Sequence, residues 1–259
     1  MNHLVFRLYG AMASWGEIAV GENRHTATYP GKSAILGLLG AALGLDRNNE
    51  KKQTELATGY TTAIKLVNSG QLLKDYHTSQ APDSVGKFSY RTRRDELVVG
   101  KERLKTVLSS REYRTDFHAI VAVTTTPSAC WTLQELKEAL LKPKYHLYLG
   151  RKSCPLCAPL NPRVVDVNNF REGLDCYQPG ALLSDEERPE WSCQSRWLAE
   201  DRITHYYWEG DLNAFSESVA GFDPSQVHVL TRYDQPFSRN RWQFLPRQEN
   251  WWMCNREKD

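Results

Sequence analysis

Three groupings in this sequence carry residue types at spacings that do chemistry: Gly31-Lys32-Ser33 at the head of an apolar run, the pair in Cys154-Pro-Leu-Cys157, and a basic stretch from Lys87 to Arg114. A Gly-Lys-Ser triplet grips nucleotide phosphates when a further glycine stands five positions earlier, which lets backbone N–H groups wrap the anion. Thr26 holds that position, so the nucleotide-triphosphatase reading fails. What remains is a helix start: Pro30 suits a first helical turn, and Lys32 and Ser33 fall where unpaired backbone N–H groups attract anions. The cysteine pair has no second pair at zinc-ribbon spacing. Zinc takes about four ligands, and Cys176, Cys193 or His146 would complete the set only by an accident of folding, so neither a metal nor another cofactor is expected. Nothing sets the pair at the start of a helix after a strand, as a redox role needs.

The basic stretch is the strongest charge signal. It holds nine basic residues (87, 91, 93, 94, 101, 103, 105, 111 and 114) against four acids (95, 96, 102 and 112), net +5 in a 259-residue chain whose total is +2, so the rest is net −3. Lys101, Arg103 and Lys105 alternate, as do Arg91 and Arg93, and on extended strands each set points to one face. The expectation is a basic hairpin arm that touches a phosphate backbone; a solvated surface insertion is the alternative.

These residues need a scaffold, and the hydrophobic pattern supplies one. The apolar run from Ala34 to Leu43 is far short of the roughly 20 residues that a membrane span requires, and its Gly37, Gly40 or Ala41, and Gly44 make a smooth stripe suited to close packing in a core helix. Strands are predicted over 3–9, 61–68, 71–77 and 117–125, then a helix in TLQELKEALLK, where Thr132 and Glu135 form a capping box, then a strand over 145–150. Strand, helix, strand, strand, helix, strand is the order of a ferredoxin-like fold, whose open sheet face is a common RNA platform. From about 160 the sequence reads as irregular until a strand pattern resumes over 227–237, and Trp251-Trp252 is a candidate protein interface. Six cysteines without a secretory signal read as reduced thiols, and MNHLVFRLYG lacks the charged, apolar, small-residue order of a leader. A cytoplasmic chain is expected.

Several stretches in order resemble one family: SWGE (14–17) after the first strand, YPGKSAILGLLGAALG (29–44), DYHT (75–78), SSREY (109–113) and KPKYHLYLGRKSCPL (142–156), with weaker echoes at TRYDQP and LPRQ. Together they resemble the CasD family, the subunit of type I-E CRISPR Cascade complexes that holds the 5′ end of the guide RNA. The resemblance implies an α+β fold: a ferredoxin-like, RNA-recognition-motif-related domain of the RAMP superfamily over 1–160, a β-hairpin thumb inserted at about 79–114, and a C-terminal β-rich region over 161–259. It implies as partners the crRNA 5′ handle, the CasC backbone subunit beside the thumb, and the large subunit CasA, with RNA cleavage left to CasE. It implies an RNA-binding structural subunit of antiviral defence rather than an enzyme. The second cysteine of CPLC and the segment from about 165 to 225 depart from the family pattern.

Such a role asks for cations on phosphates, backbone N–H groups at turns, and rings under splayed bases. Ser14, Trp15, Arg24, Lys32 and Ser33 are assigned to the 5′ handle, Arg151 and Lys152 to a second contact, and Arg91, Arg93, Arg94, Lys101, Arg103, Lys105 and Arg111 to the thumb, with Tyr113 a candidate for stacking. Two other classes compete. A metal-independent endoribonuclease needs a general base near a 2′-hydroxyl and a cation or acid at the leaving oxygen; His25, Tyr29 and Lys32 are its natural trio, with His77 or His118 outside choices. The related type I-C nucleases use a tyrosine with an adjacent Lys-His pair, and no Lys-His dipeptide occurs here. The third class is a scaffold whose basic arm meets protein.

Overall fold

The computed structural model of the chain describes residues 1–19, 21–83, 89–180, 200–216, 221–238 and 241–255; Lys87, Trp191, Cys193 and Trp197 lie outside them. In chain order the elements are β1 (Asn2–Ala13), β2 (Trp15–Gly16), β3 (Asn23–Arg24), β4 (Thr26–Ala27), α1 (Lys32–Leu43), α2 (Glu50–Thr58), β5 (Tyr60–Asn68), β6 (Gln71–Pro82), α3 (Arg93–Leu97), β7 (Leu104–Thr125) and α4 (Leu133–Leu141). They continue with β8 (Arg163–Asp166), α5 (Phe170–Cys176), β9 (Ile203–Trp208), α6 (Leu212–Phe215), β10 (His228–Ser238) and β11 (Gln243–Asn255).

A single sheet runs β10-β11-β9-β5-β7-β1-β8, and β3 and β6 join it through β7. β1, β5, β7 and β8 are mutually antiparallel where they pair. The outer half of β7, from Leu104 to Thr115, leaves the body and pairs with β6 alone along most of its length, with β3 added in parallel at Ser110 and Arg111. β9 pairs with β5 and continues to β11, so the C-terminal strands extend the same sheet.

Both faces of the sheet are covered. Leu4, Phe6 and Leu8 of β1 pack with α1, α2 and α4. Val5 of the same strand lies with Ile120, Ala122, Phe170, Leu174, Trp208, Phe215 and Trp252 under α5 and α6. The open sheet face expected as an RNA platform is therefore a second core, and no base can stack on it.

The predicted capping box is present: the Thr132 hydroxyl accepts from the Glu135 N–H while the Glu135 carboxylate accepts from the Thr132 N–H at 2.7 Å. Other expectations are corrected. Residues 145–150 are no strand but a loop with one bridge, Tyr148 to Pro155, and β8 takes the edge beside β1. Pro30 precedes α1, whose N-cap is Gly31. The stretch after 160 holds β8, α5, β9 and α6 rather than irregular chain. Trp252 is buried, which takes it out of the candidate interface, while Trp251 is partly buried and hydrogen-bonds His205 through its indole N–H. The alternation over 91–105 does not put cations on strands, because Arg93 and Arg94 open α3 and Lys101–Arg103 is a 3-10 turn; Lys105 and Arg111 alone share a face of β7.

The C-terminal hairpin is fastened to the head of α1 by a nearly buried ionic cluster. Gly31 has no side chain to cap the helix, and a Cβ there would strike the Asp234 carboxylate, which instead accepts the Lys32 backbone N–H at 2.7 Å. The same carboxylate takes two N–H groups of Arg247 at 2.6 and 2.9 Å, and Arg247 also reaches Glu249. Glu249 accepts from the Tyr29 hydroxyl at 2.6 Å. Beside them the Lys32 ammonium pairs with Glu209 at 2.7 Å, which also accepts from Thr62.

Removing one partner of a buried ion pair strands the other, at about 3–5 kcal/mol. Asp234→Ala is expected to lower unfolding stability by that amount in urea titrations of the full chain, well beyond the loss of one helix cap. Gly37 is exposed within α1, so Gly37→Ala should raise stability by about 0.5–1 kcal/mol; a loss on that substitution would show that the position is packed.

Candidate nucleic-acid interface

Cations from three separate segments meet beside the base of the β6–β7 hairpin. Arg24 of β3 lies directly opposite Arg111 of β7. The Arg151 guanidinium donates to the Arg24 carbonyl at 3.3 Å and lies over the Tyr113 ring, 5.0 Å from its centroid. Lys152 follows and is exposed. The loop that carries the last two is fixed by Gly150, whose φ of +83° and contact with the Ser14 carbonyl exclude a side chain, and by the Ser14 N–H to Leu149 carbonyl bond at 3.0 Å. None of these four cations has an ion pair with a carboxylate among the described residues. These four cations gather near one another without such a pair, with Asp75 standing opposite Arg111 across the hairpin.

Other residues assigned to RNA lie inside. Ser14 is buried and donates its hydroxyl hydrogen to the Glu112 carbonyl at 2.9 Å. Trp15 is buried edge-on against Phe117 at 5.0 Å. Tyr113 is buried with Arg151 over its ring. Lys32 is spent on Glu209, and the backbone anion site at the helix head is filled by Asp234. These four are buried or paired within the chain, and Trp15 also lines the cavity described below. Ser33 stays partly exposed on α1.

The nuclease trio is not assembled. Tyr29 is buried, with its hydroxyl held by Glu249; burial first, and the Glu249 charge next, push its pKa far up. Lys32 is paired as above. His25 sits outside, its Nδ1 3.1 Å from Glu112. Burial raises the Glu112 pKa, but the bonds from His25 and from the Thr26 N–H outweigh it and hold the carboxylate below its usual range. His77 is exposed beside Asp75, and His118 is buried edge-on to Tyr9.

Along the hairpin the charges divide. Arg93 pairs with Glu96 and Arg103 places two N–H groups on Asp83, so both are neutralised. Arg91, Arg94, Lys101 and Lys105 are exposed with no such pair among the described residues. The strand also exposes Leu72, Tyr76 and Val107. Cys154 is buried and Cys157 exposed, with Sγ accepting from the Ala11 N–H at 3.2 Å; no group of three or more His, Cys, Asp or Glu gathers among the described residues.

Next to the cationic surface lies a cavity of about 640 Å³ between α1, the 146–150 loop and the β10–β11 hairpin. Its wall includes His146, Tyr148, Arg232, Tyr233, Trp242 and Phe244. Apart from weighing His146 as a metal ligand, sequence reading gave these residues no role in binding. It also passed over Asp234 and Arg247, although both fall in the two weak echoes, TRYDQP and LPRQ; a lone Asp in an otherwise ordinary strand, answered by Arg-x-Glu on the next, was the available signal.

Comparison with known proteins gives these features a relationship. The family described as "CRISPR-associated protein (Cas_Cas5)" matches residues 3–248. The CRISPR system Cascade subunit CasD of Escherichia coli (strain K12) is 32% identical over 195 residues, which is 71% of this chain and 82% of that protein. A chain of a solved CRISPR RNA-guided surveillance complex superposes with a TM-score of 0.61 at 22% identity, over 98% of this chain and 90% of its own length. A second solved chain, from a crystal structure of a Cas protein, does so at 0.55 and 21%, over 96% and 94%. At those identities the structures speak to the fold alone, but the family match over nearly the whole length and the CasD relative settle the lineage: this chain belongs to the CRISPR-associated protein (Cas_Cas5) family, with CasD among its relatives.

Proposed function

We propose that this chain is the RNA-binding subunit of a cytoplasmic type I-E CRISPR Cascade complex that caps the 5′ handle of the guide RNA, packed beside the CasC backbone subunit and the CasA large subunit. The observation that carries the reading is the uncompensated cluster of Arg24, Arg111, Arg151 and Lys152 on a chain related to a Cascade subunit. Three segments distant in sequence converge to place it, which a solvated surface has no reason to do.

The fold is read as ferredoxin-like over the first 160 residues, supported by β5, β7 and β1 standing side by side; β8 (Arg163–Asp166), which completes the β-α-β-β-α-β order, falls just past that bound. The β6–β7 hairpin is read as the thumb, with Arg91, Arg94, Lys101 and Lys105 as its remaining free charges. The region from 161 onward is read as the C-terminal part, which braces the RNA-facing loops through Asp234 and Arg247. A binder fits better than a nuclease, because two of the three groups the cleavage chemistry needs are locked in the buried ionic cluster.

Phosphate contacts show as salt dependence, with a slope on single strands of about 0.7 per phosphate neutralised. Arg111→Ala and Arg151→Ala are each expected to weaken handle-RNA binding and to flatten the log–log salt slope by about that increment. Ser14→Ala and Lys32→Met change stability and leave the slope as it was. Equal slopes for all four variants would remove the cluster from the interface. With chelator present, end-labelled precursor RNA should stay intact over the time in which it is bound; site-specific cutting that disappears in His25→Ala would make the chain a processing nuclease.

A further inference from the structure

The geometry points to the cavity between α1, the 146–150 loop and the β10–β11 hairpin as a pocket for one unstacked nucleobase of the strand held by the neighbouring cations, an inference that rests on the RNA-binding function proposed above. The space, about 640 Å³, falls in the range of preformed small-molecule sites. Its wall includes rings left open to solvent: Tyr148, Tyr233 and Trp242 are 37%, 60% and 61% exposed, beside the buried Trp15, which also lines it. One face of Trp242 is covered by the Arg47 guanidinium, 3.7 Å from the ring centroid, which holds the indole at the rim. Arg232 lies over the Tyr29 ring at 4.7 Å and is 3.9 Å from the Glu17 carboxylate, so this part of the wall carries a charge pair.

The floor is built largely of small residues, the N-cap Gly31 and Ser33, Ala34, Gly37 and Ala41 of α1, with Leu38 the one large side chain that α1 adds. A flat ring can approach such a surface closely. Stacking on aromatic side chains favours any base, because every base has a π-face. The connection to the phosphate site is covalent: Tyr148 and Gly150 line the cavity, and Arg151 and Lys152 are the next two residues. A strand with its phosphate on Arg151 therefore has a base within reach of the pocket. The glycine stripe, expected to serve packing, contributes Gly37 to this open floor instead.

The test titrates the full chain with short single-stranded handle RNAs carrying the fluorescent base 2-aminopurine at one position at a time. Binding should quench one position by stacking. Gly37→Leu fills the floor with a better helix former and should abolish that quench, weaken binding about ten-fold and leave the salt slope unchanged. Tyr148→Ala, at an exposed ring, should act the same way and serves if the leucine variant fails to fold. Arg151→Ala should flatten the slope yet keep a quenched position. Wild-type affinity and full quench in both pocket variants, or salt-sensitive binding with no quenched position, would overturn the pocket while leaving RNA binding in place. Absence of salt-sensitive binding by the unaltered chain would overturn the function and the pocket together.

Discussion

The head of α1 is the point on which the rest of the molecule depends. A helix N-terminus carries unpaired N–H groups and a partial positive charge, and in many proteins a bound anion satisfies it. Here the anion is internal. The Asp234 carboxylate, delivered from β10 some two hundred residues away, takes the Lys32 N–H and is itself clamped by Arg247. The approach is possible because Gly31 has no Cβ. One carboxylate thus joins the first helix, the last two strands and, through Glu249 and Tyr29, the loop that leads into the helix.

That closure decides which charges are free for a partner. Lys32, Arg103, Arg93 and Arg247 are consumed by carboxylates of the chain itself, whereas Arg24, Arg111, Arg151 and Lys152 have no ion pair among the described residues. Desolvating an ion pair leaves little net attraction for a third charge, so the spent cations contribute shape and the free ones contribute field. The buried residues between them transmit position. Ser14 and Thr26 hold Glu112 on β7, and the close passage of Gly150 over Ser14 aims Arg151 at Arg24.

How much of this was legible in the sequence differs by element. The α4 helix was readable because its capping box and its apolar spacing are local. The strands β1, β5 and β7 were readable from composition, but burial on both faces was not, since Val5 and Leu4 look alike until α5 and α6 are placed. The loop at 145–150 has the residues of a strand and is denied a partner by Leu149 and Tyr148 turning back on Cys154 and Pro155. For the site, Arg24, Arg111, Arg151 and Lys152 could be picked out as basic residues near motifs, but which cations are neutralised depends largely on Asp83, Glu209 and Asp234, whose proximity is set by pairing distant in sequence.

The covered sheet also changes how a chain of this fold can hold RNA. With both faces buried, contact must come from strand edges, the projecting hairpin and loops, where few groups reach any one nucleotide. Affinity in such a layout comes mainly from charge, which is indifferent to sequence, and discrimination has to come from a concave feature that only a displaced base can enter. The wall of open rings next to the cations is built partly by β10 and β11, the same hairpin that Asp234 and Arg247 fasten to α1. The ionic clasp and the aromatic wall therefore belong to one device: the pair that closes the fold also sets the distance between the cations beside Arg24 and the open rings of the cavity.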